Sequence, residues 1–312
     1  LFENQYNGTI PLGLLRTVVP AAPDAWITVL KNYGTMSFGE VASSAIKYAR
    51  EGITVHPTMA KFLSRYQENY RMWPSNSNIW QKNGHPLEVG DLLIQTDLAA
   101  TIQFMADQEA AAMNGGREKG LQAARDAFYV GDIASKIVKY HKENGGLLTA
   151  DDMASYRTPI EKPLSISFRG TEVYSCRPWC QGPVLLQMLN MLNNIDLKAK
   201  GHNSTDYIHY LAETIKLSFA DRERYYGDPN FVDVPVEKLL SSEFARQRQE
   251  QINLQKAWSK MPPAGEIEGF GGISLRSKTN SDASFSEPDT SYTCTMDKHG
   301  NVCSITPSDV SF

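Results

Sequence analysis

The chain has 312 residues, 41% hydrophobic and 21% charged, and its 31 basic and 35 acidic side chains leave a net charge of −4. This is the composition of a soluble globular chain with room for one large domain or two modest ones. No basic tract or basic stripe interleaved with aromatics occurs, which argues against nucleic acid as the main partner. No apolar run approaches the roughly 20 residues of a membrane-spanning helix, and the opening Leu1-Phe2-Glu3-Asn4 lacks the basic n-region of a signal peptide. The four cysteines include Cys176 and Cys180, spaced C-x3-C, and Cys294 and Cys303. Zinc would want tighter pairs or a nearby histidine pair, so no metal is expected and buried thiols are. A disulfide between Cys294 and Cys303 stays open.

Along the chain, a short helix is expected from Pro23 to Lys31. Ser37-Phe38-Gly39-Glu40 then reads as a capping box opening a helix with Val41, Ala45, Ile46 and Ala49 on its apolar face, stopped at Gly52. Pro57 starts a second helix carrying Met59, Phe62, Leu63, Tyr66 and Tyr70. Residues 73–90 read as a loop. A helix from about Asp97 to Met113 should bury Leu98, Ile102 and Met105, and two more follow at about 117–128 and 131–143. Thr149-Ala150-Asp151-Asp152 caps a short helix. The period then turns alternating: Leu164–Phe168, a turn at Arg169-Gly170 and Thr171–Ser175 form a hairpin.

Gln181-Gly182-Pro183 opens an apolar helix to about Leu192. Ser204 caps another, with Ile208, Leu211, Ile215 and Phe219 as its core stripe. A charged surface helix spans about Ser242–Trp258. From Pro262 to Pro288 regular patterning disappears, and a strand, a turn at Lys298-His299-Gly300-Asn301 and a strand Val302–Ile305 follow. Helices with antiparallel hairpins make the fold class α+β or a layered α/β sandwich.

Dinucleotide, Walker, zincin and nucleophile-elbow motifs are absent, and the six histidines are scattered. Asp221-Arg222 and Asp228 invite an acid/base reading, against which a helix-end ion pair and an Asp-Pro turn are the favoured expectation. Thr290 has a mechanism attached: an irregular segment delivers it to the start of a strand, as an N-terminal threonine nucleophile requires. Cleavage between Asp289 and Thr290 would free an α-amine, with a pKa of about 7.7–8.0, to take the hydroxyl proton. The competing reading is a solvent-facing threonine in a Thr/Ser-rich strand.

Thr290-Ser291, the turn Asp297-Lys298-His299-Gly300-Asn301 and the strand Val302-Cys303-Ser304-Ile305-Thr306 resemble the processing site of the γ-glutamyltranspeptidase family of N-terminal-nucleophile hydrolases. Tyr33-Gly34-Thr35, Ala49-Arg50-Glu51-Gly52, Phe128-Tyr129-Val130-Gly131, Gly145-Gly146-Leu147-Leu148-Thr149 and Leu186-Gln187-Met188-Leu189-Asn190 resemble its large-subunit blocks. So does the long stretch from Gly201-His202-Asn203-Ser204 through Phe219-Ala220-Asp221-Arg222 and Gly227-Asp228-Pro229 to Leu239-Leu240-Ser241. The resemblance implies a four-layer αββα fold, present here in part, made as one precursor that cuts itself at Asp289-Thr290.

On this reading residues 1–289 are large-subunit sequence, with a helical region at about 37–156, a hairpin and helices at about 160–258 and a flexible linker at about 262–288. Residues 290–312 begin the small subunit. Thr290 would attack an amide, typically a γ-glutamyl amide, and water or an acceptor amine or dipeptide would resolve the acyl-enzyme without a cofactor. The family places a second hydroxyl eighteen residues beyond the nucleophile, here Ser308.

The departures bear on the substrate. Tyr292 stands where the family has His, Val310 where it has a glutamate-binding Asn, Trp179-Cys180-Gln181-Gly182 for Ser-Ser-Gly-Gly, and Val19-Pro20-Ala21 for Val-Pro-Gly. A lost hydrogen-bond partner is worth on the order of 1–3 kcal/mol, enough to change substrate preference. A family amidohydrolase acting on a non-glutamyl amide is therefore one alternative, and an unprocessed, non-catalytic homologue is another. The family's carboxylate-gripping Arg is expected before Leu1 and its acidic, Ser-Ser and Gly-Gly elements beyond Phe312, so residues 1–312 alone are expected to be inactive. Family members are exported or cytoplasmic, which leaves the compartment open.

Overall fold

A computed structural model of the chain describes residues 1–273 and 290–308. The described residues form an α+β fold in which many helices accompany four separate two-stranded antiparallel ladders. They fall into two compact units, one running from Leu1 to Pro159 and taking in residues 290–308, the other beginning at Ile160.

In the first unit, helices Ala22–Tyr33, Phe38–Glu51, Thr96–Ala112 and Arg117–Tyr129 enclose Ile27, Phe38, Ile46, Met105, Leu121 and Ala124. The capping box forms as read: the Glu40 amide donates to Ser37 Oγ at 3.1 Å, and the Ser37 amide donates to Glu40 Oε2 at 2.7 Å. The apolar face is rotated from expectation. Phe38, Ala42 and Ile46 are buried at i, i+4, i+8, while Val41 and Ala45 are exposed. The cause is Glu109 on Thr96–Ala112, whose buried carboxylate accepts from the Phe38 and Gly39 amides, both at 2.8 Å. A carboxylate there satisfies orphan donors and complements the helix dipole. It draws the Phe38 edge inward and leaves Leu98, an expected core residue, exposed.

The region 73–90 is not a loop throughout. Pro74 starts a helix to Trp80, and Gln81–Lys82 pairs with His85–Pro86 across Asn83-Gly84. Both turn residues have positive φ, 53° and 78°, the conformation that matches a tight hairpin's twist and that Asn-Gly accommodates. The helix from Pro57 likewise ends at Arg65, before a short helix Gln67–Arg71.

Asp24 sits at the centre of a buried cluster. It pairs with Arg125 and accepts from the Thr158 amide at 2.6 Å, while its own amide donates to the Tyr129 hydroxyl at 3.0 Å. Burial works to raise its pKa, but the Thr158 and Arg125 hydrogen bonds outweigh burial and hold it below the ordinary carboxylate value. His141 is buried with Nδ1 unpartnered, and desolvation pulls its pKa down.

In the second unit, the hairpin Leu164–Phe168/Thr171–Ser175 has the expected register, from Leu164 opposite Ser175 to Phe168 opposite Thr171. Helices Gly182–Leu192, Thr205–Tyr225 and Ser242–Gln249 accompany it. The stripe expected on Thr205–Tyr225 is displaced. Ile208 and Ile215 are 54% and 41% exposed, and the helix instead buries Glu213, Thr214, Leu217, Ser218 and Asp221.

Asp221 is the reason. It takes Arg248 Nε at 3.0 Å, the Gln187 amide at 2.8 Å and the Gly265 backbone at 2.7 Å, and Arg248 also donates to the Leu217 and Pro263 carbonyls. Burial pushes the Asp221 carboxyl above its ordinary value against the pull of Arg248. Asp221 therefore pairs with Arg248 rather than Arg222, which meets Glu223. The last helix is also shorter than expected, ending at Gln249, with Phe244, Ala245 and Arg248 turned inward.

Arg248→Met strands a buried carboxylate and two carbonyls, so urea unfolding should show a loss of about 3–5 kcal/mol. For the acid limb the sign follows from two lowered pKa values. His141 contributes stability that is present above its unfolded value of about 6.5 and declines as pH falls below it. Asp24 contributes stability that is present above about 3.9 and lost as pH falls through its lower folded value. Unfolding midpoints across pH should show both declines, and Asp24→Asn should remove the second.

Candidate active site

The site expected from the sequence lies on the C-terminal hairpin. Thr293–Met296 pairs with Val302–Ile305, from Thr293 opposite Ile305 to Met296 opposite Val302. The connecting turn is built by Asp297. Its Oδ1 accepts from the His299 and Asn301 amides at 2.8 and 2.9 Å, and its Oδ2 accepts from Asn301 Nδ2 at 2.8 Å. The Asn301 side chain, then its backbone, draws the Asp297 pKa down. An aspartate folding back on its own turn in this way fixes where the return strand starts.

The same register continues past the ladder. Thr290 forms an isolated antiparallel bridge with Ser308, and the Ser291 amide donates to the Pro307 carbonyl at 3.1 Å. Thr290 Oγ1 and Ser308 Oγ lie 3.1 Å apart, a distance at which either hydroxyl can donate to the other. Because side chains alternate, Thr290, Tyr292, Cys294 and Met296 share a face with Val302, Ser304, Thr306 and Ser308. On that face Ser304 Oγ donates to the Tyr292 hydroxyl at 3.3 Å. Two hydroxyls in contact, with one on a backbone position that becomes an amine if the preceding bond is cut, have the components of a nucleophile and its partner.

Asp289, the other half of the expected cleavage site, lies outside the described residues. So do Val310 and the linker from residue 274 to Pro288. Cys294 faces with Ser304, whereas Cys303 pairs with Thr295 on the opposite face. This alternation rules out the disulfide left open by the sequence. The expectation of buried thiols is also corrected: Cys176, Cys294 and Cys303 are exposed and Cys180 is half-buried, all four free. Among the described residues no cluster of metal-ligating side chains forms, and no helix is long and apolar enough to cross a membrane. The ionisable residues that sequence periodicity missed are Asp24, Glu109 and Arg248, because a charge inside a helix reads as solvent-facing until its partner is seen.

A sequence model of the γ-glutamyltranspeptidase family matches residues 2–312. Among curated proteins, the chain is 33% identical to the glutathione hydrolase proenzyme of Escherichia coli strain K12, over 94% of this chain and 46% of that protein. It is 30% identical to the acylase ACY 1 proenzyme of Pseudomonas sp. strain SE83, over 95% of this chain and 47% of that protein. The chain thus spans about half the length of these relatives. Among solved structures it superposes on the γ-glutamyltranspeptidase of Helicobacter pylori with a TM-score of 0.73 and 30% identity, over 83% of this chain and 72% of that one.

Replacing Asp297 with Ala should loosen the turn and release the register. Hydrogen–deuterium exchange would report this as faster exchange at the Asn301 and Ser291 amides, with helix amides unchanged.

Proposed function

The chain belongs to the γ-glutamyltranspeptidase family, and from that premise we propose that it carries Thr290 as the nucleophile of an amide acyltransferase or hydrolase. The observation that carries the reading is the 3.1 Å approach of Thr290 Oγ1 to Ser308 Oγ at the end of the hairpin register. The proenzyme names of the curated relatives support processing from a precursor. In the uncut chain the Thr290 hydroxyl attacks the Asp289 carbonyl carbon. The acyl group moves from nitrogen to oxygen, and water hydrolyses the resulting ester. The products are a carboxyl-terminal Asp289 and a Thr290 with a free amine.

In turnover, that amine takes the Thr290 hydroxyl proton as the oxygen attacks the substrate amide. The tetrahedral intermediate expels an amine, which leaves with a proton, and an acyl ester remains on Thr290. Water resolves the ester to an acid, or an acceptor amine resolves it to a new amide. Ser308, held against Thr290, orients the hydroxyl and donates to its oxygen as negative charge develops. Tight positioning matters because the attacking oxygen must meet the substrate carbonyl in one orientation. The residues before Thr290 form the large-subunit portion and Thr290 opens the small one.

The acyl group proposed first is γ-glutamyl, from the glutathione hydrolase relatives. A non-glutamyl amide is the second reading. It is favoured by Tyr292, whose ring stands two residues from Thr290 on the same face and hydrogen-bonds with Ser304, and by the acylase relatives.

The native gene product should separate by mass into two fragments, one starting at Thr290, and should release the chromophore of a γ-glutamyl anilide faster when a dipeptide acceptor is added. Thr290→Ala should abolish both cutting and release, and normal cutting in that variant would overturn the assignment. Ser308→Ala should lower kcat by about tenfold to a hundredfold, the worth of one hydrogen bond to a charged oxygen. A single uncut species that accepts no acyl group from an activated amide would support the non-catalytic alternative instead. Cutting without γ-glutamyl release, together with turnover of a non-glutamyl anilide, would support the acylase reading.

A further inference from the structure

Cys176 and Cys180 stand on the segment between the strand Thr171–Ser175 and the helix Gly182–Leu192, and one residue, Gly182, gathers them. The Gly182 amide donates to Cys180 Sγ at 3.4 Å. A Cβ on Gly182 would lie 2.6 Å from the Cys176 carbonyl oxygen and 2.9 Å from its nitrogen, so the helix start is seated directly on the Cys176 backbone. Between them the chain turns back, the Cys180 amide donating to the Arg177 carbonyl at 3.3 Å. The Cys176 and Cys180 side chains interact with one another, Cys176 exposed and Cys180 half-buried.

Arg177, which follows Cys176, has no carboxylate within salt-bridge distance among the described residues. It lines a cleft of about 340 Å³ together with Pro178, Phe231 and Asp233. A guanidinium and a carboxylate on one cleft with an apolar wall fit an α-amino acid: carboxylate to Arg177, ammonium to Asp233.

We infer that Cys176 and Cys180 form a reactive dithiol that exchanges with small disulfides built from amino acids, with the Arg177 cleft receiving one half of the disulfide. The exposed Cys176 thiolate attacks one sulfur of RSSR, forming a Cys176–SR mixed disulfide and releasing RS⁻, which takes up a proton. Cys180 then gives up its proton and its sulfur attacks Cys176 Sγ, closing the internal disulfide, breaking the Cys176–SR bond and releasing the second RS⁻, which takes up a proton. Two protein thiols are oxidised, one disulfide is reduced to two thiols, and no other oxidant is needed. Burial raises the Cys180 pKa, the Gly182 amide works against that, and Cys176 adds to the rise. That direction disfavours Cys180 as the first nucleophile and leaves the first attack to the exposed Cys176. The inference uses neither Thr290 nor Ser308, so it holds or fails independently of the reading of that site.

The test is to incubate the reduced protein with cystine or with neutral hydroxyethyl disulfide, quench by alkylation and map the cysteines by peptide mass. The expected result is an internal 176–180 disulfide, forming with cystine about tenfold faster than with the neutral disulfide at low salt. Arg177→Gln should erase that preference. Cys180→Ser should trap a mixed disulfide on Cys176, and Cys176→Ser should leave Cys180 about tenfold slower to react. The inference is overturned if 176 and 180 end as two separate mixed disulfides, if Cys176 reacts no faster than the exposed Cys294 and Cys303, or if cystine shows no advantage.

Discussion

Everything proposed for the C-terminal hairpin depends on its register, and the register depends on one aspartate. Asp297 gathers three donors from its own turn, and the pairing it starts runs without a bulge from Met296–Val302 out to Thr290–Ser308. A slip of one residue would carry Thr290 to the opposite face and separate it from Ser308. The contact between the two hydroxyls is thus set several residues away, by hydrogen bonds that touch neither of them. Placing a reactive side chain on a ladder rather than on a loop limits its wander to that of the strand itself, and the β-branch of threonine removes most of the rest.

The two units share a second habit, the use of buried charge to direct helix faces. Glu109 decides which edge of Phe38–Glu51 turns inward, and Asp221 with Arg248 decides the same for Thr205–Tyr225. A buried ion pair is a poor source of net stability, since its desolvation offsets its attraction, yet it penalises every arrangement that leaves either partner alone. Here the partners are also saturated by backbone groups, Gly265 on Asp221 and two carbonyls on Arg248, so the pair ties loop segments to helices as well.

Local features were readable from the sequence because their partners lie within a few residues. The boxes at Ser37/Glu40 and Thr149/Asp152, the Ser204 cap and the Arg169-Gly170 turn all form where their residue types place them. Asn83-Gly84 was equally readable, but the tryptophans, prolines and asparagines around it masked the hairpin. Helix faces failed for a different reason. Counting Ile208, Leu211, Ile215 and Phe219 assumes that apolar residues turn inward, whereas this helix turns inward the side that meets Arg248, 27 residues further along. The site shows the same division. Chemistry suggested Thr290, while Ser308 came only from resemblance, because nothing in the composition between them announces a shared register.

The Asp24 cluster has a kinetic consequence. Its carboxylate meets Arg125 across 101 residues and the Thr158 amide across 134, most of the run from Leu1 to Pro159. Contacts of such separation carry a large loop-closure entropy, so they are made only after the intervening helices have organised. The Asp24 knot therefore closes after its helices have organised, as a late tie on a segment that Ile27 already packs into the core. On a ribosome, Asp24 would emerge long before Thr158 and would wait, charged and solvated, for most of the unit to be synthesised.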